Sequence, residues 1–301
     1  MKVIAVIPTR NRARLLATCL ESLREQLLPL AHVVVVDNGS TDETGRVVAQ
    51  YPNARWIRLD RNCGVDGALA IGMEEALRAG ADAVFISDDD SVALPSCLQT
   101  LVRTMLELNS IAVVNALPIS DARGALIAAR VHNGRIIRTK EEFIQTFGRL
   151  VPTNKVHFNG SLLSRSIIEA VGLPDARFWS GEETWYGERV RERGFDIVID
   201  AEANVLHPPM PCRLVRIPLM GYVTAWDLPD WKARHYPRNA LIRRRQKHGL
   251  SRFLLVDVPL VCFAYGLRLA LERNRIRKAP LYVRGLLEGV WWGVRQRHHS
   301  G

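Results

Sequence analysis

Cysteine is scarce in this 301-residue chain and follows no pattern. The five residues, Cys19, Cys63, Cys97, Cys212 and Cys262, include no C-x-x-C pair. An odd, scattered set excludes a disulfide framework or a thiolate zinc site and predicts reduced thiols in a cytosolic protein. A secretory leader is not expected either. Met1-Lys2 is followed by a short apolar run and then by Arg10, Arg12 and Arg14. No internal repeat and no low-complexity segment is present. The apolar stretch from Phe253 to Leu271 is interrupted by Asp257, Pro259 and Arg268. It therefore reads as too short and too broken for a bilayer span, which needs about 20 residues.

Acidic residues are scarce at one end only. Of 41 Lys/Arg and 31 Asp/Glu, the stretch from Arg213 to Gly301 holds 18 and 5, which leaves 23 and 26 for Met1 to Cys212. A nearly neutral body thus carries a strongly basic tail, which favours anionic partners such as nucleic acid or a phosphate-rich membrane face.

What the sequence does contain is alternation. Val3–Ile7, His32–Val36, Arg55–Leu59, Ala83–Ile86 and Ile111–Ala116 read as strands. Helical spacing falls between them, at Leu15–Leu27, Thr41–Gln50, Gly67–Ala79 and Leu94–Leu108. Strand and helix in turn imply βαβ units and a mostly parallel sheet. Ligands of such sheets bind beyond the carboxyl ends of the strands. The polar residues sit at those ends: Thr9-Arg10-Asn11, Asp37, and Asp88-Asp89-Asp90. Beyond Ser120 the alternation weakens. Phe158–Leu163 and Asp196–Ile199 read as strands, and Ser164–Val171 and Glu183–Arg193 as helices. Pro208-Pro209-Met210-Pro211 reads as a boundary.

Three consecutive carboxylates repel one another, so they add no stability at a sheet end. A hard divalent cation reverses that balance, since carboxylate oxygens bind Mg2+ or Mn2+ and the metal bridges diphosphate oxygens. The bland reading is an acidic turn capping the next helix; the position after a buried strand favours metal. Asp37 suits the N–H edge of a nucleobase, while Ser40 and Thr41 shape the turn after it. The loop Asn62-Cys63-Gly64-Val65-Asp66-Gly67 enters a helix and offers backbone N–H groups to a diphosphate, a weak signal by itself.

Taken in order, Val6-Ile7-Pro8-Thr9-Arg10-Asn11-Arg12, Val-Val-Asp37-Asn-Gly-Ser-Thr-Asp, Asn62 with its glycines and the Asp triplet resemble the family 2 inverting glycosyltransferases of GT-A fold. Further on stand Phe158-Asn159-Gly160-Ser161, Gly181-Glu182-Glu183, Leu206-His207-Pro208 and Tyr236-Pro237-Arg238-Asn239. This series is similar to bacterial galactofuranosyltransferases and rhamnosyltransferases that build cell-wall glycans on lipid carriers. The resemblance spans roughly Lys2 to Lys247.

It implies a Rossmann-like α/β core, residues 1–212, followed by a helical basic extension, residues 213–301. Pro8, Thr9, Arg10 and Asp37 would hold the nucleoside, with Asn62, Gly67, Asp88 and Asp89 around ribose and diphosphate. Asp88, Asp90 and His207 would hold Mn2+ or Mg2+. Glu183 matches the general base, with Glu182 beside it as runner-up. Two positions depart from the pattern: Trp185, where a further acid is common, and Asp66, where small or apolar residues are.

The implied reaction takes a sugar from a UDP- or dTDP-sugar to a lipid-linked saccharide. A nucleotidyltransferase of related fold would instead release pyrophosphate and need no base near residue 183. A non-catalytic nucleotide-sugar-binding protein on a membrane would bind the donor without turnover. In the tail, Arg243-Arg244-Arg245-Gln246-Lys247-His248, the apolar stretch, Arg273, Arg275 and Arg277, and Trp291-Trp292 fit helices on an anionic membrane surface. The expected location is therefore the cytoplasm, at the inner face of the cell membrane. No nucleic-acid motif accompanies the charge.

Overall fold

The first apolar runs form parallel strands because both of their faces are covered. In the computed structural model, which describes residues 1–109, 111–181, 183–217 and 221–295, all seven residues of β1 (Val3–Thr9) are buried. Strand β2 (His32–Asp37) is buried after its first residue. The chain divides into two compact units, Met1–Met210 and Pro211–Gly301.

In the first unit, β3 (Ala54–Arg58), β2, β1 and β4 (Ala83–Ile86) lie side by side and parallel. Helix α1 (Ala13–Arg24) packs Leu16, Cys19, Leu20 and Leu23 on the face carrying Val3, Ala5, Val33 and Val35, and α2 (Thr44–Val48) adds Val48 there. Helix α3 (Gly64–Arg78) packs Ala68, Leu69 and Met73 against Ile4, Val6, Val34 and Val36 on the other. A period of two along each strand thus feeds two cores.

The sheet then turns mixed. After β5 (Val92–Ala93) and α4 (Cys97–Glu107) come β6 (Ala112–Ile119), β7 (Ala125–His132), β8 (Arg135–Thr139), α5 (Lys140–Phe147), β9 (Leu150–Pro152), β10 (Ser161–Ser164), α6 (Arg165–Val171), α7 (Glu183–Glu192) and β11 (Asp196–Leu206). The main path runs β3-β2-β1-β4-β10-β6-β11-β5, with β10 antiparallel to both neighbours. The β7–β8 pair and the two-residue β5 are not anticipated from sequence. Strand β11 runs seven residues past the expected Ile199, with a register shift between Asp200 and Asn204.

The second unit opens with an antiparallel pair, β12 (Cys212–Ile217) and β13 (Gly221–Trp226), where only helices are expected. Helix α8 (Asp230–Lys247) packs against α10 (Arg275–Arg295). Gly285, Gly289 and Gly293 repeat at i, i+4 along α10. A Cβ at Gly289 would lie 2.8 Å from Leu241 Cβ, and one at Gly285 would press on the Arg234 carbonyl. The stripe permits the close approach.

Between them α9 (Leu250–Leu271) is one continuous 22-residue helix of mean hydropathy 1.8, and by length and composition it is long and apolar enough to cross a membrane. The expectation of a broken stretch is corrected. Pro259 follows a π-helical turn, Phe253–Asp257, which loosens the backbone ladder where proline lacks its N–H. Asp257 is buried and paired with Arg244 at 2.9 Å and His248 at 2.7 Å. At the α9–α10 turn, buried Glu272 takes hydrogen bonds from Lys278 and Tyr282.

Candidate functional site

The carboxyl end of β4 runs through Ser87 into the aspartates, and β5 follows directly. Its two residues pair with the end of β11, Ala93 with Val205 and Val92 with Leu206. This small ladder sets His207 beside the acidic turn. Its Nε2 lies 3.5 Å from Asp90 Oδ1 and 3.9 Å from Asp88 Oδ2. Ligand atoms of Asp88, Asp90 and His207 all fall within 4.8 Å of one another.

The imidazole is oriented. Nδ1 stands 2.8 Å from the Pro208 carbonyl. A carbonyl only accepts, so Nδ1 carries a proton, and Nε2 is the ring nitrogen that faces the two carboxylates. Two carboxylates and an imidazole converging on one point suit a cation. Oxygen–oxygen–nitrogen donors with a hydrogen-bonded outer nitrogen fit Mn2+ or Mg2+.

Asp89 faces elsewhere. It is 5% exposed and accepts from Thr9 Oγ1 at 2.7 Å and from Arg12 at 3.0 Å. Burial pushes its carboxyl above the ordinary range, against the pull of Thr9 and Arg12. Arg12 also reaches Asp90 Oδ2 at 2.9 Å. Burial opposes its charge, but Asp89 and Asp90 together hold the guanidinium above its usual value. Sequence reasoning missed this residue. The available signal was its position: Arg12 is the N-cap of α1, where the helix dipole disfavours a cation unless an anion waits nearby.

Asp37 is 1% exposed at the end of β2. Its Oδ1 accepts from Ser40 N–H at 2.8 Å and its Oδ2 from Trp56 Nε1 at 3.2 Å. The turn therefore does not leave the carboxylate free, although each oxygen keeps a second acceptor position. Trp56, also unforeseen, shares a cleft of about 470 Å³ with Asp37, Ser40, Thr41 and Arg58. Pro8 is buried beside Val36, and Arg10 is exposed.

The loop before α3 is tied to the Asp37 turn. Asn38 Nδ2 donates to the Gly64 carbonyl at 3.0 Å, and its Oδ1 accepts from Cys63 N–H at 3.1 Å. Asn62 Oδ1 accepts from Gly64 N–H at 2.9 Å. Gly67 makes room for Cys63, whose Sγ would lie 2.9 Å from a Cβ there. Glu183 is the first residue of α7 and half-buried, while Glu182 lies outside the described residues. Trp185, in place of a further acid, is buried edge-on to Phe178, with centroids 6.4 Å apart. Asp66 is buried in the first turn of α3.

Comparison with known proteins bears on this geometry. The model of glycosyl transferase family 2 matches residues 4–172. A galactofuranosyltransferase, GlfT1 of Mycobacterium tuberculosis, is 32% identical over 212 residues, covering 68% of this chain and 70% of its own. The O-antigen chain rhamnosyltransferase RfbN of Salmonella typhimurium is 24% identical over 213 residues, 69% of this chain and 66% of its own. The mannosyltransferase PcManGT of Pyrobaculum calidifontis, solved with GDP-Man and Mn2+, superposes with a TM-score of 0.57 at 16% identity. That match covers 96% of this chain and 87% of the other, and at this identity it speaks for the fold alone. The resemblance read from the motifs and the GT-A expectation both hold: this chain belongs to glycosyl transferase family 2 and is a glycosyltransferase.

Proposed function

We propose that this enzyme is a metal-dependent, inverting transferase. It moves galactofuranose or rhamnose from a UDP- or dTDP-sugar to a hydroxyl of a lipid-linked saccharide. The observation that carries the reading is the Asp88–Asp90–His207 cluster, with its oriented Nε2. Those residues would hold Mn2+ or Mg2+, which when bound offsets negative charge on the leaving diphosphate. The choice of sugars follows the names of the relatives, a galactofuranosyltransferase and a rhamnosyltransferase.

Asp37 accepts from the base edge, with Pro8, Thr9 and Arg10 beside it, and the Asn62–Gly67 loop borders the diphosphate with Asp88 and Asp89. Glu183 takes the proton of the attacking hydroxyl as its oxygen bonds to the anomeric carbon; Glu182 is the alternate base. The bond from that carbon to the diphosphate oxygen breaks on the opposite face, so the configuration inverts and a nucleoside diphosphate leaves.

The second unit suits a membrane-borne acceptor. Leu255, Phe263 and Leu287 are 78%, 71% and 65% exposed on α9 and α10, with Arg252, Arg275, Arg284 and Trp291 among them. This reading puts the protein at the inner, cytoplasmic membrane face. The first test is release of nucleoside diphosphate from a panel of UDP- and dTDP-sugars, with and without Mn2+. Glu183→Gln is expected to cut transfer about 100-fold with UDP affinity unchanged; transfer at the full rate sinks the base assignment.

A further inference from the structure

From Arg213 to Gly301 the chain has five acidic residues, and each already holds a cation. Asp227 meets Arg273 at 3.7 Å, Asp230 meets Arg277 at 2.9 Å, and Glu288 takes both Arg234 and Arg284. Asp257 is held by Arg244 and His248, and Glu272 by Lys278. Lys232 and Arg268 are left over. Among the described residues, no carboxylate of this unit forms an ion pair with either.

The two cations meet at one ring. Helices α8 and α9 run alongside in opposite directions, so Asp257 reaches Arg244 at one end of the seam and Arg268 reaches Tyr236 at the other. Lys232 Nζ lies 6.0 Å and Arg268 Cζ 5.7 Å from the centre of the Tyr236 ring. Tyr236 is also the first residue of the Tyr236-Pro237-Arg238-Asn239 motif. Both cationic side chains are half-buried, and Arg268 Nε is buried with no hydrogen-bond partner among the described residues. One end of the seam is thus neutralised, while the other gathers positive charge around an aromatic face. The ring attracts each cation but neither offsets their mutual repulsion nor satisfies a buried N–H. An anion with several acceptor oxygens does both.

The neighbouring surface indicates what carries that anion. Val256, Leu260, Phe263 and Leu267 repeat at i, i+4, i+7 and i+11 along α9 and are all exposed, so an apolar stripe ends one residue before Arg268. We infer that Lys232, Tyr236 and Arg268 form a site for a lipid phosphate, with the hydrocarbon along this stripe and the phosphate at the two cations. The inference rests on the transferase reading above, in which the acceptor saccharide is joined to a lipid. It assigns recognition of the carrier's phosphate to the second unit. The Arg268 fork and the Lys232 point charge grip phosphate oxygens whatever sugar the lipid bears.

Farnesyl phosphate, inorganic phosphate and farnesol, titrated calorimetrically into the metal-free whole chain, separate a lipid phosphate from its parts. Farnesyl phosphate is expected to bind roughly tenfold or more tightly than either of the others. Arg268→Gln and Lys232→Gln are each expected to weaken it roughly tenfold, as losing one charge-assisted contact implies. Arg216→Gln removes an exposed charge elsewhere in the unit and is expected to leave it within about twofold. UDP with Mn2+ is expected to bind all three variants as it binds the wild type. Unchanged farnesyl phosphate affinity in Lys232→Gln and Arg268→Gln overturns the inference; should Arg268→Gln melt early, Lys232→Gln alone decides. An equal loss in Arg216→Gln also overturns it, by reducing the site to general charge attraction. Inorganic phosphate binding as tightly marks a free-phosphate site, and farnesol binding as tightly marks an apolar face alone; either overturns the lipid phosphate. A wild type that binds UDP but no farnesyl phosphate sinks this site and spares the transferase reading. One that binds farnesyl phosphate but no UDP sinks the transferase reading instead.

Discussion

Apart from Asp89, which meets Arg12, the two units bury these carboxylates in different company. In the first, Asp37 and Asp200 are held mainly by neutral donors: a backbone N–H and an indole for one, Thr104 and the Glu202 amide for the other. In the second, Glu272 is answered by Lys278, and Asp257 by Arg244 and His248. Neutral donors stabilise an anion without cancelling its charge; in the acidic turn after β4, Arg12 brings a cation to Asp89 and Asp90. The second cancels its buried charge internally and turns exposed apolar side chains and arginines outward. Met1–Cys212 is slightly acidic and Arg213–Gly301 strongly basic, but this local pairing explains more than net charge does. On the proposed reading, one unit receives a cation, while the other closes on itself and meets lipid.

The sharpest way to break this contrast is to remove a cluster ligand. Asp90→Ala or His207→Ala is expected to abolish Mn2+ binding, followed by paramagnetic resonance, and to lower sugar transfer by about two orders of magnitude or more. Intact Mn2+ binding in both variants removes the metal site from the picture.

Next in size comes the pair whose carboxylate is buried while its arginine reaches solvent, Arg12 with Asp89. Arg12→Ala leaves Asp89 with Thr9 alone and is expected to cost about 2 kcal/mol of folding stability in urea. Arg284→Ala, at an exposed pair with Glu288, serves as the control and is expected to cost under about 0.5 kcal/mol. Equal losses would show that burial does not separate the pairs. Gly289→Ala drives a methyl group against Leu241 and is expected to destabilise the second unit by about 1–3 kcal/mol.

A subtler test uses His157. Burial, with Arg130 and Lys155 nearby, pushes its imidazole down to about 4 from an ordinary value of 6.5. Between those values the unfolded chain binds a proton that the folded one refuses. Stability contributed by neutral His157 is therefore full above pH 6.5 and falls on acidification toward pH 4. His157→Gln is expected to flatten that limb of the stability–pH curve. An unaltered slope assigns the limb to other groups.

Smallest of all, Leu255→Ser with Phe263→Ser is expected to leave stability within about 0.5 kcal/mol. Retention on phosphatidylglycerol vesicles in a flotation assay should fall. Unchanged flotation removes α9 from the membrane reading.

These contrasts were unevenly legible in the sequence. Strands β1 to β4 announced themselves because a parallel strand covered on both faces must be apolar throughout. The acidic turn stood out because repulsion made it unprofitable without a partner. His207 was reached only through family resemblance, since a lone histidine carries no local signal and β5 is too short for a periodicity. Arg12 and Trp56 were passed over because their partners, Asp89 and Asp37, are brought to them by tertiary folding. The conformation of Trp179 was invisible for a related reason: positive φ is predicted from glycine or asparagine, and here it falls on a tryptophan. In α9, Asp257 and Pro259 looked like breaks, because neither the ion pair nor the π-turn that accommodates them has a signature in composition.

The two-residue ladder between β5 and β11 has a consequence for the order of assembly. Asp88 and Asp90 are synthesised early, and residues 4–172 already contain them, but His207 arrives only with the last strand of the catalytic unit. A chain emerging from the ribosome therefore carries an incomplete cluster until Leu206 pairs with Val92. If the cluster takes the proposed cation, its capture and the closure of the sheet become one event.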